Sequence, residues 1–203
     1  MFPRGRNNTT EVLAPPPPVH GHMWGRRPGQ SVAERIAELD AERAMWVRGE
    51  QGEILVGEEL DRLSPHEWWV FHAIPRGGSG TDIDHLVIGV GGVYTVNTKN
   101  VAANVWVAER VLMVGGKKTA YLPAAASEAR DAARRISTRS ANAVDVRPVL
   151  AFTRPITVKA MPADVAVLQA GSVRAWLESQ PRVFTPQQAY EIVLIADQHA
   201  TWA

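Results

Sequence analysis

The sequence contains no cysteine among its 203 residues. Disulfide bonds, thiolate metal sites and a cysteine nucleophile are therefore excluded. Any metal site must be built from histidine, carboxylate or amide ligands. The absence of cysteine suits a reducing compartment, so we expect a cytoplasmic protein.

Long hydrophobic runs and a strong excess of one charge are also missing. No apolar stretch approaches the roughly 20 residues of a membrane-spanning helix, and the N-terminus lacks the apolar core of a signal peptide. We therefore expect no membrane partner. The formal net charge is only +1, so no overall field attracts the protein to a polyanion. Binding to a nucleic acid would have to depend on a local cluster of residues.

The length favours one domain preceded by a tail, because domains usually hold about 100 to 200 residues. Residues 1–30 contain the run Pro15–Pro18, several glycines and little periodic hydrophobicity. Such a segment cannot bury enough apolar surface to order itself, so we expect a flexible tail that offers a docking segment to a protein partner. Residues 31–203 are expected to form the single domain.

A helix is predicted to begin at the capping-box pattern Ser31–Glu34. Gly49 and Gly52 weaken its middle and allow a break there. A second helical stretch is predicted over Glu53–Leu63, where a following Ser-Pro pair ends it.

The rest of the chain alternates between short apolar runs and amphipathic stretches. The first strands are separated by glycine turns and predict a mostly antiparallel meander, and a proline opens the last helix. Together the elements predict an α/β (α+β) domain with a central mixed β-sheet flanked by helices. The predicted strands are Trp68–Ile74, two within Gly80–Lys99, Asn104–Val107, Arg110–Val114, Val146–Phe152 and Asp164–Leu168, and the predicted helices are Ser127–Ser140, Ser172–Ser179 and Pro186 to about Gln198.

Polar side chains end both strands of the stretch Gly80–Lys99, which is expected to turn across Gly91-Gly92. Alternation by two residues places Asp84 on one face of the first strand, and Asn97 and Lys99 on one face of the second. If the two strands pair, these ends meet. An acid, an amide and a lysine at the rim of an apolar hairpin indicate a functional site.

Four motifs occur in a characteristic order. They are Gly52-Glu53 at the opening of a helix, the strand Ile83–Gly89, the strand Gly92–Lys99, and a further strand that contains Trp106. This pattern resembles the nuclease-related domain family, called NERD, over roughly residues 45–140. The resemblance implies a restriction-endonuclease-like fold, whose signature is an acid on one strand and a (Glu or Asp)-x-Lys on the next.

The resemblance also implies roles for individual residues. Asp84 matches the acid that binds metal in active members, and Lys99 matches the lysine that stabilises charge or orients the attacking water. Glu53 resembles the extra helix-borne acid of some relatives. Asn97 stands where the signature has a carboxylate, and would offer a neutral carbonyl oxygen. Asp84, Glu53 and Asn97 are therefore the expected ligands of Mg²⁺ or Mn²⁺.

The function implied is metal-dependent hydrolysis of phosphodiester bonds in nucleic acid, with DNA as the expected partner. Lys99, together with Arg130 and Arg134 of the arginine-rich helix, is expected to contact phosphates. Because Asn97 replaces a carboxylate, the alternative is a catalytically inactive module of the same fold that binds nucleic acid or another protein.

Overall fold

The computed structural model describes residues 30–77 and 82–203, so the predicted tail lies almost entirely outside the described residues. The chain divides into two units between Arg43 and Ala44, and the second unit is Ala44–Ala203. The helices are α1 (Gln30–Leu60), α2 (Tyr121–Ser137), α3 (Val173–Glu178), α4 (Pro186–Ala196) and α5 (His199–Trp202), with a 3₁₀ turn at Ala170–Ser172. The strands are β1 (Trp68–Ile74), β2 (Ile83–Gly89), β3 (Gly92–Lys99), β4 (Val105–Ala108), β5 (Val111–Val114), β6 (Lys117–Lys118), β7 (Val146–Phe152), β8 (Ile156–Val158) and β9 (Ala166–Gln169).

A five-stranded mixed sheet in the order β1-β2-β3-β7-β9 forms the centre of the second unit, which confirms the predicted fold class. The first three strands pair in antiparallel fashion, and β3, β7 and β9 run parallel. The parallel pairing of β3 and β7 requires a crossover, and α2 lies within that connection. The centre of the sheet is covered on both sides, which suits the nearly continuous apolar run of β7.

The predicted meander ends at β3, because the strands that follow leave the central sheet. β4, β5 and β6 form a second sheet with β8, in the order β6-β5-β4-β8. The predicted antiparallel pairing of successive strands is therefore present, but it is divided between two sheets. Neighbouring strands in sequence usually pair, but here the apolar β7 competes successfully for the edge of β3.

Each face of the central sheet has its own core. Leu86, Ile88 and Val93 pack with buried residues of α2, α4 and α5. Val87 and Val96, which point the opposite way, pack with buried residues from the end of α1 and from α3. The alternation predicted for the two strands is thus confirmed, and the positions of Asp84, Asn97 and Lys99 lie on the face that α2 covers.

The hairpin between β2 and β3 turns one residue earlier than expected. Gly89 pairs with Gly92, so the two-residue turn is Val90-Gly91. Gly89 lies against the Trp68 ring, and a Cβ there would come within 2.2 Å of Trp68 Cε3. Gly92 has a φ of +131°, which favours glycine. The local geometry therefore favours glycine at both positions.

The bounds of two helices differ from the sequence prediction. α1 shows no break at Gly49 or Gly52, already includes Gln30 ahead of the expected cap at Ser31, and ends at Leu60. α2 begins at Tyr121, six residues before the predicted start. Its proline lies in the first turn, where a backbone N–H has no intrahelical partner in any case, so proline does not prevent the earlier start.

Three short elements were not predicted as such, namely β6, β8 and α5. Two to four residues carry too little periodicity to be recognised from sequence. α4 begins at Pro186 as predicted, and Thr185 and Gln188 form its capping box. None of the helices in the described residues is both long and apolar enough to cross a membrane.

Candidate functional site

Asp84 is held at the end of the central hairpin. The backbone N–H of Thr98 donates a hydrogen bond of 2.7 Å to Asp84 Oδ2. Burial raises the pKa of Asp84 above its ordinary value, while this hydrogen bond and the charge of Lys99 act in the opposite direction. The neighbouring strand therefore fixes the orientation of the carboxylate.

Asn97 and Lys99 contact one another on the same face of β3. The Lys99 ammonium donates to Asn97 Oδ1 and, at 2.9 Å, to the carbonyl oxygen of Thr98. It also lies 5.4 Å from the ring centroid of Tyr121, at the start of α2. Such a position over an aromatic face is favourable for a cation. These contacts hold the positive charge beside the amide.

Glu53 approaches from α1, whose C-terminal part packs on the other face of the sheet. Gly52 permits this approach, because a Cβ there would lie 2.9 Å from Asn100 Cβ. Desolvation and the negative charge of Asp84 raise the pKa of Glu53, and the charge of Lys99 opposes that rise. The helix-borne acid thus lies within electrostatic reach of both other residues.

Glu128 of α2 is a member of the site that sequence reasoning missed. Its side chain is buried, with 6% of the residue exposed. Asn97 Nδ2 donates to Glu128 Oε2 over 3.4 Å, and an Arg76 nitrogen lies 3.9 Å from the same oxygen. Burial, followed by the charge of Asp84, raises the pKa of Glu128 to about 7, although Arg76 opposes this.

The sequence did contain a signal for Glu128. Ala125, Ala129, Ala132 and Ile136 are all buried and follow helical spacing along α2. Glu128 falls within this apolar stripe, three residues after the first alanine and four before the third. Only Arg130 and Arg134 were named from this helix in the sequence analysis, and Glu128 was not singled out. An acid within a buried stripe is the feature that should have distinguished it.

The arginines expected to contact phosphates are not part of this cluster. The side chain of Arg130 is exposed. Arg134 is also exposed and is paired with Asp131. Arg135 bonds the same aspartate and the Trp202 carbonyl oxygen, at 2.9 and 2.8 Å. Lys99 alone of the three expected phosphate contacts lies beside Asp84, and the role of the two arginines stays a prediction.

A pair of histidines supports the strand from the opposite face. His72 Nδ1 lies 2.8 Å from His85 Nδ1, and His85 Nε2 lies 3.4 Å from Thr98 Oγ1. His72 Nε2 also contacts Asp61 Oδ1 at 3.2 Å. Burial and the charge of His72 lower the pKa of His85 to about 4, so His85 is neutral at pH 7. This chain of contacts ends on the residue that holds Asp84.

The donor atoms of the site suit a hard divalent cation, although no complete metal shell is preformed. Among residues 30–77 and 82–203, no three histidine or acidic side chains are arranged to hold a metal ion. Mg²⁺ is usually bound by only one or two carboxylates, with water and substrate phosphates as further ligands. Asp84, Glu53 and Glu128 offer such oxygens, and Glu128 Oε1 is buried with no hydrogen-bond partner among the described residues.

Comparison with known families agrees with this geometry. The family model described as nuclease-related domain matches residues 48–153. The chain belongs to the nuclease-related domain (NERD) family. The match contains the elements from the second half of α1 to the end of β7, and therefore all four residues of the predicted site together with Glu128. The NERD family is a branch of the restriction-endonuclease-like superfamily, as the motifs implied.

One related protein matches a short part of the chain. The chain is 41% identical over 56 residues to an uncharacterized protein of Bacillus anthracis, a stretch that covers 26% of each chain. The similarity thus spans about a quarter of that relative. No solved structure matches the chain.

Proposed function

We propose that this NERD protein is a metal-dependent nuclease that hydrolyses phosphodiester bonds, with DNA as its substrate. The observation that carries the proposal is the placement of Asp84, held by the Thr98 backbone, beside the Asn97–Lys99 pair at one end of the central hairpin, where the charges of Asp84 and Lys99 also influence the pKa of Glu53. Two carboxylates beside a lysine combine metal-binding oxygens with a fixed positive charge. Hydrolysis of a phosphodiester needs both kinds of group.

Each residue has a distinct task in this proposal. Asp84, fixed by the Thr98 N–H, and Glu53 would hold Mg²⁺ or Mn²⁺, which when bound supplies Lewis-acid stabilisation and a more acidic water. Lys99 would donate to a non-bridging phosphate oxygen and balance the negative charge that develops there. Asn97 Oδ1 positions the Lys99 ammonium in the free protein. The substrate phosphate would take the place of this amide oxygen as acceptor.

The test is cleavage of single-stranded and double-stranded DNA, with RNA in parallel, in the presence of Mg²⁺ or Mn²⁺. We expect cleavage by the wild-type protein, its loss on chelation, and its loss in both Asp84→Asn and Lys99→Met. Asp145→Asn serves as a matched control, because Asp145 is exposed and precedes the opposite end of β7. Cleavage that survives both site substitutions would refute the proposal, as would its absence under every condition.

One observation favours the inactive alternative. The Lys99 ammonium donates a hydrogen bond to Asn97 Oδ1, so this oxygen can bind a metal only if the lysine moves. A module that only binds nucleic acid would show salt-sensitive affinity without cleavage, because phosphate contacts release counterions. A protein-interaction module would show neither. Binding measured at two salt concentrations alongside the cleavage assay distinguishes these functions.

A further inference from the structure

The second sheet has one buried face and one outer face that points away from the core. Val105, Val107 and Leu112 are buried and pack with Phe152. Because side chains alternate along a strand, Trp106 lies on the opposite, outer face. Its side chain is only partly buried, and no other aromatic ring within residues 30–77 and 82–203 contacts it. Packing in the core therefore does not account for this ring.

A row of paired positions crosses the whole outer face. Trp106 of β4 pairs with Met113 of β5 on one side and with Thr157 of β8 on the other. Met113 pairs in turn with the exposed Lys118 of β6. Lys159 follows β8, its backbone N–H bonds to β4 at 2.8 Å, and alternation places its exposed side chain on the face of Thr157. The outer face thus presents an indole ring with a lysine on either side.

Positive charge is concentrated around this sheet, although the whole chain has a net charge of only +1. The segments 100–119 and 153–160 contain five cationic side chains and one acidic side chain, that of Glu109. The five cations are Arg110, Lys117, Lys118, Arg154 and Lys159. In the described part of the chain, no carboxylate forms an ion pair with Lys118 or Lys159. Both lysines are therefore available to a polyanion.

The second sheet follows directly from the strands that end at the candidate site. β3 ends at Lys99, and only Asn100–Asn104 separate it from β4, so β4 begins at most about 22 Å from Lys99. β7 leads into β8 over an even shorter connection, and β4 and β8 run parallel as β3 and β7 do. A distance of 22 Å corresponds to about six nucleotides at the 3.4 Å spacing of one strand. One short strand could therefore contact both Lys99 and the outer face.

We propose that the outer face of the second sheet binds a single strand of nucleic acid, with a base stacked on Trp106 and phosphates bound by Lys118 and Lys159. This inference rests on the proposed function for its choice of ligand, and it narrows the substrate of that site to single-stranded nucleic acid. A duplex keeps its bases stacked on one another, whereas a single strand can offer one to an aromatic ring. Because every base has a π-face, little sequence preference is expected.

The test of the stacking contact is fluorescence anisotropy of a labelled thymidine strand of about 12 nucleotides, with a duplex of equal length in parallel. The full chain is measured in EDTA, so that no metal-dependent cleavage occurs. We expect tighter binding of the strand than of the duplex. Trp106→Leu should weaken strand binding by about 5- to 150-fold, and Trp106→Phe should retain most of the affinity. Trp46→Leu is the matched control, because Trp46 is 74% exposed on α1, and it should bind as wild type does.

The two lysines are tested through the salt dependence of binding. The double variant Lys118→Gln/Lys159→Gln should reduce the slope of log affinity against log salt by about 1.4, since each single-strand phosphate contact contributes about 0.7. Arg35→Gln/Arg43→Gln removes the same charge from α1 and should leave the slope unchanged. An unchanged slope in the lysine variant would overturn the inference, even if Trp106→Leu failed to fold.

The outcomes separate this inference from the proposed function. If wild type cleaves DNA, and the Trp106 and lysine variants bind the strand as wild type does, the outer face is refuted while the nuclease stands. Strand binding that depends on Trp106 and the lysines, without cleavage under any metal condition, would refute the nuclease and support the outer face. Equal affinity for strand and duplex, or no binding of either by wild type, would contradict the inference.

Discussion

Replacing Glu128 by glutamine should stabilise the metal-free protein at neutral and alkaline pH. Burial raises the pKa of this carboxyl from the ordinary 4.5 to about 7 in the folded state. A shift of one pKa unit corresponds to about 1.4 kcal/mol, so the folded state loses about 3 kcal/mol when the group is fully ionised. Glutamine keeps the shape of the side chain and its amide contact but carries no charge.

The sign of the pH dependence follows from proton binding. Between pH 4.5 and 7 the folded state binds more protons at this group than the unfolded state does. Its contribution to the free energy of unfolding therefore falls as pH rises through this window. The advantage of Glu128→Gln over wild type should be small at pH 5 and should grow by about 2.5 kcal/mol by pH 8.

The assay is urea denaturation in the presence of EDTA, at several pH values from 5 to 8. Asp131→Asn is the control: although partial burial acts against it, bonds from Arg134 and Arg135 lower the pKa of Asp131. The ionised Asp131 carboxylate stabilises the folded state fully at any pH above the pKa that this group has in the unfolded chain. The difference in the free energy of unfolding between Asp131→Asn and wild type should therefore stay constant from pH 5 to 8. If the free energy of unfolding changed with pH in the same way for wild type and Glu128→Gln, the expected cost of ionising the buried Glu128 carboxyl would be refuted.

Two further predictions concern the backbone of strands β1 and β2. Ala73 has a φ of +49°, a left-handed conformation that costs an L-residue roughly 1 kcal/mol or more. Ala73→Gly should therefore raise the melting temperature, whereas Ala108→Gly in β4 should lower it, and a decrease in both would contradict the assigned strain. Gly89→Ala should lower the free energy of unfolding by about 2 to 3 kcal/mol, because its Cβ would overlap the Trp68 ring. Urea denaturation measures this loss, and unchanged stability would show that the ring moves freely.

The parts of the fold predicted well are those fixed by local sequence. β1 and β7 have the predicted bounds, because each is an apolar run rich in β-branched or aromatic residues and flanked by breakers. The common face of Asp84, Asn97 and Lys99 also followed from local information. Strand alternation has a fixed period, so residue numbers alone decide which side chains share a face.

The parts that were missed depend on contacts between distant segments. β8 joins the second sheet only by pairing with β4, which lies about 50 residues earlier in the chain. Glu128 belongs to the site only because α2 packs its alanine stripe against β2 and β3. Neither the choice of partner strand nor the side of the sheet that a helix covers is encoded in a short window of sequence.

The location of a bound ion tests the proposed metal site at Asp84. Crystals of the full chain grown with Mn²⁺ should be measured at a wavelength where manganese scatters anomalously. We expect one strong anomalous peak within coordination distance of Asp84, and loss of this peak in Asp84→Asn. A peak elsewhere on the protein, or none at Asp84 with Mn²⁺ present, would contradict the proposed metal site.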